Sequence, residues 1–330
     1  MAKINKHIEI VRSSKNWLSS MSLESSNAIF NVLKNHYTNV SITTVNNLSD
    51  LKKLVKNKPD LVFLGMKFIS IDEILRLEDP SKIWITQYLK DHKIAHTGST
   101  QLAHELEFNK SLAKKRIIKA GLKTSPFYVV KQNCSQIRED KSLIFPLFIK
   151  PINRGGGLGI DSDSVVHNFE ELCLKVRLIS KRLHTDSLIE EYLPGREFSV
   201  AILKDRIKEG YHIMPIELVS HPDKYGRLLL SKKVKESNTE RVLAVTDESI
   251  KSKITDLSIK AFHALGARDY GRIDIRLDEE GTPHFLEANL IPSLISGYGS
   301  FPKACMLNIN LEYEAMILNI VKLALSRSIS

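Results

Sequence analysis

The sequence lacks the features that mark secreted, membrane-spanning and zinc-binding proteins. No apolar run reaches about 18 residues, so no segment is expected to span a membrane. The start, MAKINKHIEIVRSSK, has no apolar core followed by a small-residue cleavage site, so no signal peptide is expected. The three cysteines form no CxxC or Cys/His spacing, which argues against zinc and against a disulfide framework. We therefore expect a cytoplasmic protein without membrane contact.

Positive charge is in excess but is not concentrated in one segment. The chain has 48 Lys+Arg against 38 Asp+Glu, a net charge of +10. The lysines are scattered through most predicted helices and no zinc-finger or RRM signature occurs, so nucleic acid is the weaker interpretation of this charge. A basic cleft for an acidic or polyphosphate small molecule agrees with the same excess.

Residues 1–95 alternate between short apolar strands and amphipathic helices. HIEIV, SITTV and PDLVFLGM have the pattern of strands, whereas SLESSNAIFNVLKNHY and LSDLKKLVKNK have the periodicity of helices. This order predicts a parallel, Rossmann-like sheet. No G-x-G-x-x-G follows the first strand, so the dinucleotide fingerprint is absent.

A lysine followed by glycines is the first candidate for chemistry. In FIKPINRGGGLGID a predicted strand delivers Lys150, and the glycine-rich stretch Gly155–Gly159 follows. Glycines let backbone N–H groups approach an anion closely, as in loops that hold phosphates. The lysine comes before the glycines, which excludes both a Walker A loop and a kinase glycine loop. The alternative is a flexible surface loop beside a surface lysine.

The stretch LIEEYLPGREF is a second candidate. Glu190 and Glu191 end a predicted strand, Pro194 and Gly195 form a turn, and Glu197 begins another strand. Such a reversal could present main-chain groups to an adenine and a carboxylate to ribose hydroxyls. An ordinary strand–turn–strand would have the same pattern.

The third candidate is a hairpin, GRIDIRLDEEGTPHFLEANLIPS. A turn at DEEGT places Asp274 opposite Glu287. Period-two alternation then predicts a polar face formed by Arg272, Asp274, Glu287 and Asn289. The opposite, apolar face would be formed by Ile273, Ile275, Leu286 and Ala288. Two carboxylates and an amide oxygen are ligands suited to Mg²⁺. A solvated hairpin face with Arg272 as ion-pair partner is the alternative.

Together these three stretches resemble the ATP-grasp superfamily, and most closely the D-alanine–D-alanine ligases, over roughly residues 86–320. The resemblance implies an α/β (α+β ATP-grasp) fold, in which a Rossmann-like N-terminal domain precedes a two-lobed ATP-grasp module. The expected units are a substrate domain at 1–95, a central lobe with the glycine-rich loop at 96–190, and a C-terminal lobe with the metal site at 191–330. The family tends to dimerise through its N-terminal domain, which is the one ground for expecting a homodimer.

The resemblance also implies roles for individual residues. Lys110 and Lys150 would bind the phosphates of ATP, and Gly156 and Gly157 of the loop would cover them. Glu190, Glu191 and Leu193 would form the hinge beside adenine. Glu197 would bind the ribose. Two Mg²⁺ ions, with Mn²⁺ as an alternative, would be held by Asp274, Glu287 and Asn289. Arg272 would stabilise the transferred phosphoryl group. The lysine-rich SKKVKES would be the lid, with Lys233 taken as its phosphate-binding lysine although Lys232 and Lys235 stay open.

The implied reaction is an ATP-dependent ligation of two small amino-acid-like substrates. A carboxylate attacks the γ-phosphate of ATP, and an amine then displaces phosphate from the acyl phosphate to form an amide. Positioning and charge neutralisation do most of such work. The reaction needs no protein nucleophile, which agrees with the lack of a Ser/His/Asp or Cys/His constellation.

Departures from the family pattern fall at the substrate positions. The family has Gly-Gly-x-Ser-x-Glu after its first strand, whereas this chain has IVRSSKNWLSSMSLESS, in which Glu24 lies nearby but is not aligned. The loop Glu-Gly-Ser-Ser-Val-Gly is replaced by residues 154–159, RGGGLG, and a later serine run by SLISGYGSFPKA. We therefore hypothesise a ligase whose substrates are not two D-alanines. An authentic D-alanine–D-alanine ligase and a non-catalytic ATP-binding protein are the alternatives.

Overall fold

The N-terminal unit is a parallel sheet of four strands. The computed structural model describes residues 2–231, 234, 237 and 239–327. The sheet has the order β2-β1-β3-β6, with a small antiparallel pair β4-β5 beside it. Its elements are β1 (Ile4–Arg12), α1 (Leu23–His36), β2 (Tyr37–Thr44), α2 (Leu48–Lys56), β3 (Leu61–Leu64), β4 (Phe68–Ile69), β5 (Ile83–Trp84), α3 (Ile85–Asp91) and β6 (Ala95–His96). The expected β-α-β-α-β alternation is confirmed.

Both faces of this sheet are covered, which explains its apolar strands. Ile8, Ile10 and Phe63 belong to the core that α1 covers. Val62 and Leu64 belong to a second core, on the side of α2 and α3. The two flanking helices begin at polar caps, because the Ser22 and Asn47 side chains accept backbone N–H groups of the first turns of α1 and α2.

The central lobe contains an antiparallel sheet in the order β7-β10-β8-β9. Its elements are α4 (Gln101–Phe108), α5 (Lys110–Lys119), β7 (Phe127–Val130), β8 (Leu147–Pro151), β9 (Val165–Val166), α6 (Phe169–Leu183) and β10 (Ser187–Glu191). Asn109 caps α5, since its side chain accepts the N–H groups of Ser111 and Leu112. The Lys110 amide donates to Ile152 O, which fixes the start of α5 beside the end of β8.

The C-terminal lobe is an antiparallel five-stranded sheet in the order β13-β12-β11-β14-β15. Its elements are β11 (Glu197–Lys204), β12 (Tyr211–Val219), β13 (Arg241–Ala244), α7 (Glu248–Ala264), β14 (Tyr270–Leu277), β15 (Pro283–Asn289), α8 (Ser300–Ile309) and α9 (Tyr313–Leu325). One face packs on α7. The other shares a core with α8, α9 and the N-terminal sheet.

That shared core bears on the three expected units. Ile317 and Ile320 of α9 lie in the same cluster as Phe63 of the N-terminal sheet. The last helix therefore packs in the core of the first unit as well as that of the third. The boundaries after residues 95 and 190 stay a prediction. Within the described ranges, no helix combines the length and apolar character needed to cross a membrane.

The hairpin β14–β15 pairs Asp274 with Glu287 as expected. The register shifts immediately afterwards, because Ile275 lies opposite Phe285 and leaves Leu286 as an extra residue. Such a β-bulge turns the strand locally. The expectation that Leu286 lies on the apolar face was wrong, since Phe285 and Ala288 occupy the core on that side.

Candidate active site

Two cavities meet at the β14–β15 hairpin. A narrow cleft lies between the central and C-terminal lobes, and a cavity of about 570 Å³ lies between them and the N-terminal unit. Asp274 and Glu287 line both spaces. The bulged Leu286 faces the cleft. These two acids therefore lie where the contents of one space would meet the contents of the other.

Asp274 is the most constrained side chain of the hairpin. It is buried, and its Oδ1 accepts hydrogen bonds from Ser199 Oγ at 2.8 Å and Arg272 Nε at 2.9 Å. Its Oδ2 accepts from Arg272 Nη2 at 2.9 Å and Asn289 Nδ2 at 3.1 Å. Pairing with Asp274 and Glu287 raises the pKa of Arg272, although burial opposes its charge. Arg272 also donates from Nη1 to Ser300 Oγ at 2.8 Å.

The same residues fit part of a divalent-cation site. Asp274 and Glu287 supply carboxylate oxygens, and Asn289 keeps its Oδ1 for a ligand because it donates to Asp274 through Nδ2. Across the described part of the chain, no group of three or more His, Cys, Asp or Glu side chains could hold a metal ion. A Mg²⁺ ion here would need further oxygen ligands, which phosphates and water provide in nucleotide sites.

Lys110 and Lys150 approach the junction from the central lobe. Lys110 Nζ lies 3.5 Å from Glu287 Oε2 and donates to Arg154 O at 2.6 Å. Burial lowers the pKa of Lys110 by more than the adjacent Glu287 raises it. Burial also opposes the charge of Lys150, but Glu190 and Glu287 raise its pKa on balance. The two lysines that were predicted to meet phosphates are thus brought to the same place.

Glu190 lines the cleft, but two lysines hold its carboxylate. Lys150 Nζ lies 2.7 Å from Oε1, and Lys114 Nζ lies 2.9 Å from Oε2. All three side chains are buried, and the two ammonium groups keep the pKa of Glu190 low against the effect of burial. Sequence reasoning missed Lys114. Its signal was the four-residue spacing from Lys110, which places both lysines on one face of α5.

The remaining hinge residues also line the cleft. Leu193 is buried there, and the Glu191 carboxylate accepts the Ile144 N–H at 3.0 Å. Glu197, predicted to bind ribose, is paired with Arg276 at 2.8 Å. Arg276 was not predicted, although alternation from Arg272 and Asp274 puts it on the same face of β14.

The glycine loop borders the large cavity. Gly156 and Gly157 have positive φ angles of 63° and 73°, the conformation for which glycine suits a tight loop. Gly155 and Gly156 line the cavity but not the cleft. Arg154 anchors the loop through Glu78 at 2.8 Å and Leu183 O at 2.6 Å. The lid lysines Lys232, Lys233 and Lys235 lie outside the described residues.

The loop after β1 forms the N-terminal wall of the cavity with residues 16–20, including Trp17. Glu24 is exposed in the first turn of α1 and does not line the cavity. Among the described residues around this space, the acidic ones are Glu240, Asp274 and Glu287. No acid therefore lies on the wall contributed by residues 16–20.

Comparison with known proteins identifies the family. Residues 117–322 match the family model for the D-Ala–D-Ala ligase C-terminus. The chain belongs to the D-alanine–D-alanine ligase family. This family consists of ATP-dependent ligases that form a C–N bond, so the ATP-grasp resemblance and the expected enzyme class are confirmed at that level.

Curated relatives cover about two thirds of the chain. Protein y4sG of Sinorhizobium fredii, described as uncharacterised, is 29% identical over 235 residues, which are 70% of this chain and 66% of the relative. The D-alanine–D-alanine ligase of Pelobacter propionicus is 28% identical over 230 residues, which are 69% of this chain and 70% of the relative. Relatives at a similar distance thus include both a named ligase and a protein described as uncharacterised.

A solved structure supports the fold over nearly the whole length. The D-alanine–D-alanine ligase of Bacillus anthracis complexed with ATP aligns with a TM-score of 0.75 and 20% identity, covering 97% of both chains. At that identity the likeness shows the fold alone. It confirms the α/β fold class, including the N-terminal unit that the family model leaves uncovered.

Proposed function

We propose that the protein is an ATP-dependent carboxylate–amine ligase that joins two amino-acid-like substrates other than two D-alanines. The observation that carries the proposal is that Asp274 and Glu287 line both the cleft and the large cavity. A nucleotide in the cleft would direct its γ-phosphate toward these residues. A carboxylate in the large cavity would approach the same phosphorus atom from the other side.

In this proposal the cleft binds ATP through the residues that the sequence singled out. Lys110, Lys150 and the lid Lys233 would meet phosphates, and Gly156 and Gly157 would close over them. Glu190, Glu191 and Leu193 would form the hinge beside adenine, and Glu197 would accept ribose hydroxyls. Asp274, Glu287 and Asn289 would hold two Mg²⁺ ions, with Mn²⁺ as an alternative. When bound, these ions neutralise charge on the phosphates.

The chain's own residues then do three things. Arg272, held in place by Asp274, presents a fixed positive charge to the transferred phosphoryl group. Lys110 adds a second charge close to Glu287. The glycine loop and the lid would exclude water, which would otherwise hydrolyse the acyl phosphate. The substrate carboxylate forms a bond to the γ-phosphorus as ADP leaves, and the amine then forms the amide as phosphate leaves.

The altered substrate pair rests on the wall of the large cavity. The stretch after β1 has no aligned counterpart of the family's glutamate, and Trp17 enters the lining together with Phe68 and Phe108. An acid that would meet a substrate ammonium is thus replaced by a bulky aromatic surface. A cavity of about 570 Å³ is within the range that holds ligands much larger than alanine.

Phosphate release from MgATP tests the proposal. The panel contains D-alanine, D-serine, glycine, L-alanine, and D- and L-phenylalanine, each alone and in pairs, with products identified by mass spectrometry. We expect release that depends on amino acids and is faster with a pair other than D-alanine alone. Full activity with D-alanine alone would instead favour the authentic D-alanine–D-alanine ligase. Binding of ATP without release under any condition would favour the non-catalytic alternative.

A further inference from the structure

A cation on the N-terminal wall of the large cavity was not singled out by any sequence pattern. Lys67 lies between β3 and β4, and its side chain is 19% exposed. It lines the same cavity as Arg272, Asp274 and Glu287. Its side chain is therefore accessible from the space assigned to the amino-acid substrates.

A buried carboxylate fixes Lys67 in place. Lys67 Nζ lies 2.9 Å from Glu107 Oε1, and this oxygen also accepts the Leu290 N–H at 2.8 Å. Glu107 Oε2 lies 3.0 Å from His104 Nδ1. Burial would raise the pKa of Glu107, but Lys67 and His104 outweigh it and keep the pKa low. Since Leu290 follows Asn289, this anchor joins Lys67 to the end of the strand that carries the proposed metal ligands.

Lys67 retains donors for a ligand. An ammonium group has three N–H donors. Within the described ranges, Glu107 is the one ion-pair or hydrogen-bond partner of the Lys67 side chain. Arg154, the cation that the glycine loop brings to this cavity, is already engaged with Glu78, Asn153 and Leu183 O. Lys67 is also close enough to Lys110 for its charge to lower the pKa of that lysine. It therefore stands near the proposed phosphate end of the site.

We propose that Lys67 holds the carboxylate of the acyl-donor substrate, and that Glu107 is the residue that positions Lys67. The proposal rests on the ligase function proposed above. One donor oxygen stays on the Lys67 ammonium while the other forms the bond to the γ-phosphorus. The bond between that phosphorus and the β,γ-bridging oxygen breaks, and ADP leaves with the electron pair. This step transfers no proton, so the contribution of Lys67 is to orient a negatively charged group.

Substitution of Lys67 tests the assignment by separating two Michaelis constants. In Lys67→Met we expect the KM for the acyl donor to rise about tenfold to a hundredfold, the range for losing a hydrogen bond to a charged group. The KM for ATP should stay within about twofold. Lys67→Arg should restore most of the donor affinity, because it restores the charge. The donor is the panel amino acid whose carboxylate enters the amide of the product.

Lys82→Met is the matched control. Lys82 belongs to the same unit and lies over Phe68 and Phe108, but it donates to Leu77 O at 2.6 Å and does not line the cavity. Its donor KM should stay at the wild-type value. A general disturbance of this region by loss of a lysine would raise the donor KM in both variants, and that result would overturn the assignment.

A double variant guards against a folding defect. Lys67→Met removes the counter-ion of a buried acid, whereas Lys67→Met combined with Glu107→Gln removes both charges. We expect the double variant to melt close to the wild type and to keep the raised donor KM. A donor KM within twofold of the wild type in both variants would overturn the role of Lys67 while the ligase function stands. If the wild type releases no phosphate with any panel member, the ligase function fails first and this inference with it.

Discussion

Asp274 and Glu287 are paired residues of neighbouring strands, but separate cations hold their carboxylates. Arg272 binds Asp274 through two hydrogen bonds of 2.9 Å, whereas Lys110 lies 3.5 Å from Glu287. Two acids placed directly opposite would otherwise repel each other. Because one cation comes from the same strand and the other from α5, each acid has its own counter-ion while both face the two cavities.

Loss of the Glu287 charge should stop the first chemical step. In Glu287→Gln we expect phosphate release at saturating MgATP to fall at least about a hundredfold, the effect typical of removing one electrostatic contact at a transition state. The measurement is the initial rate over a range of Mg²⁺ concentrations. Glu280→Gln, at an exposed position in the turn of the same hairpin, is the control and should be unchanged. Equal rates in the wild type and Glu287→Gln would refute the metal role.

Loss of the Glu190 charge should reduce stability. Glu190→Gln leaves Lys114 and Lys150 buried without their shared acid. Breaking a buried ion pair on one side costs about 3–5 kcal/mol, so the urea midpoint should fall sharply. Burial already lowers the pKa of Lys114 to about 8 in the presence of Glu190, and without it this lysine should lose its proton near neutral pH.

The neighbouring acid provides the control for Glu190. Glu191→Gln removes a carboxylate that accepts a single backbone N–H and lies closer to the surface. Its free energy of unfolding should change by about 1 kcal/mol. Equal losses in the two variants would show that the Lys114–Glu190–Lys150 cluster has no special part in stability.

Arg276 should affect ATP and not the amino-acid substrates. It pairs with Glu197 at 2.8 Å, donates to Leu228 O at 2.9 Å and stacks over Tyr192. In Arg276→Met we expect the KM for ATP to rise about tenfold, because Glu197 loses the group that orients it. The KM for each amino acid should be unaffected.

Arg196→Met is the control for that experiment. Arg196 directly precedes β11, and its exposed side chain pairs with Glu217 at 2.6 Å. Exposed pairs contribute little, so its ATP and amino-acid constants should match the wild type. A rise in the amino-acid KM alone for Arg276→Met would contradict the placement of ATP in the cleft.

His96 should make the protein less stable in mild acid. Burial lowers the pKa of His96 from 6.5 to about 3, and Arg268 Nη2 lies 3.3 Å from its Nε2. Between these two pH values the unfolded chain binds a proton that the folded chain does not. Stability therefore falls as the pH decreases from 6.5 toward 3, by up to about 1.4 kcal/mol per pH unit from this group.

Unfolding experiments on a variant test this pH dependence. His96→Gln should reduce the slope of the unfolding free energy against pH in that window, measured by urea denaturation at several pH values. His92→Gln, at an exposed histidine of the same unit, should leave the slope unchanged. An identical slope in the wild type and His96→Gln would show that His96 is not the group responsible.

The hairpin shows how far local patterns carry a prediction. Alternation and the turn at DEEGT correctly predicted that Asp274 lies opposite Glu287. The same alternation failed one residue later at Leu286, because a bulge inserts a residue without changing the apolar character of the strand. A period-two rule holds where both strands keep their register, and no local signal marks where the register shifts.

Partners of the site charges could not be predicted in the same way. Glu190 forms ion pairs with Lys150, which is 40 residues away along the chain, and with Lys114. Lys67 forms an ion pair with Glu107. Each pair joins different elements, so spacing along the chain carries no information about it. Arg276 is the exception, since it continues the polar face of β14 and could have been included.

The sequence by itself determined the alternation of the N-terminal unit, the family, and which residues are candidates for phosphate and metal. These follow from backbone geometry and from side chains that are near one another along the chain. The tertiary structure alone decided that Asp274 and Glu287 line two cavities at once, and that Lys67 lines the larger one while paired with the buried Glu107. A charge that is buried by packing needs a counter-ion or hydrogen-bond partner. The fold supplies that partner from residues that are distant along the chain.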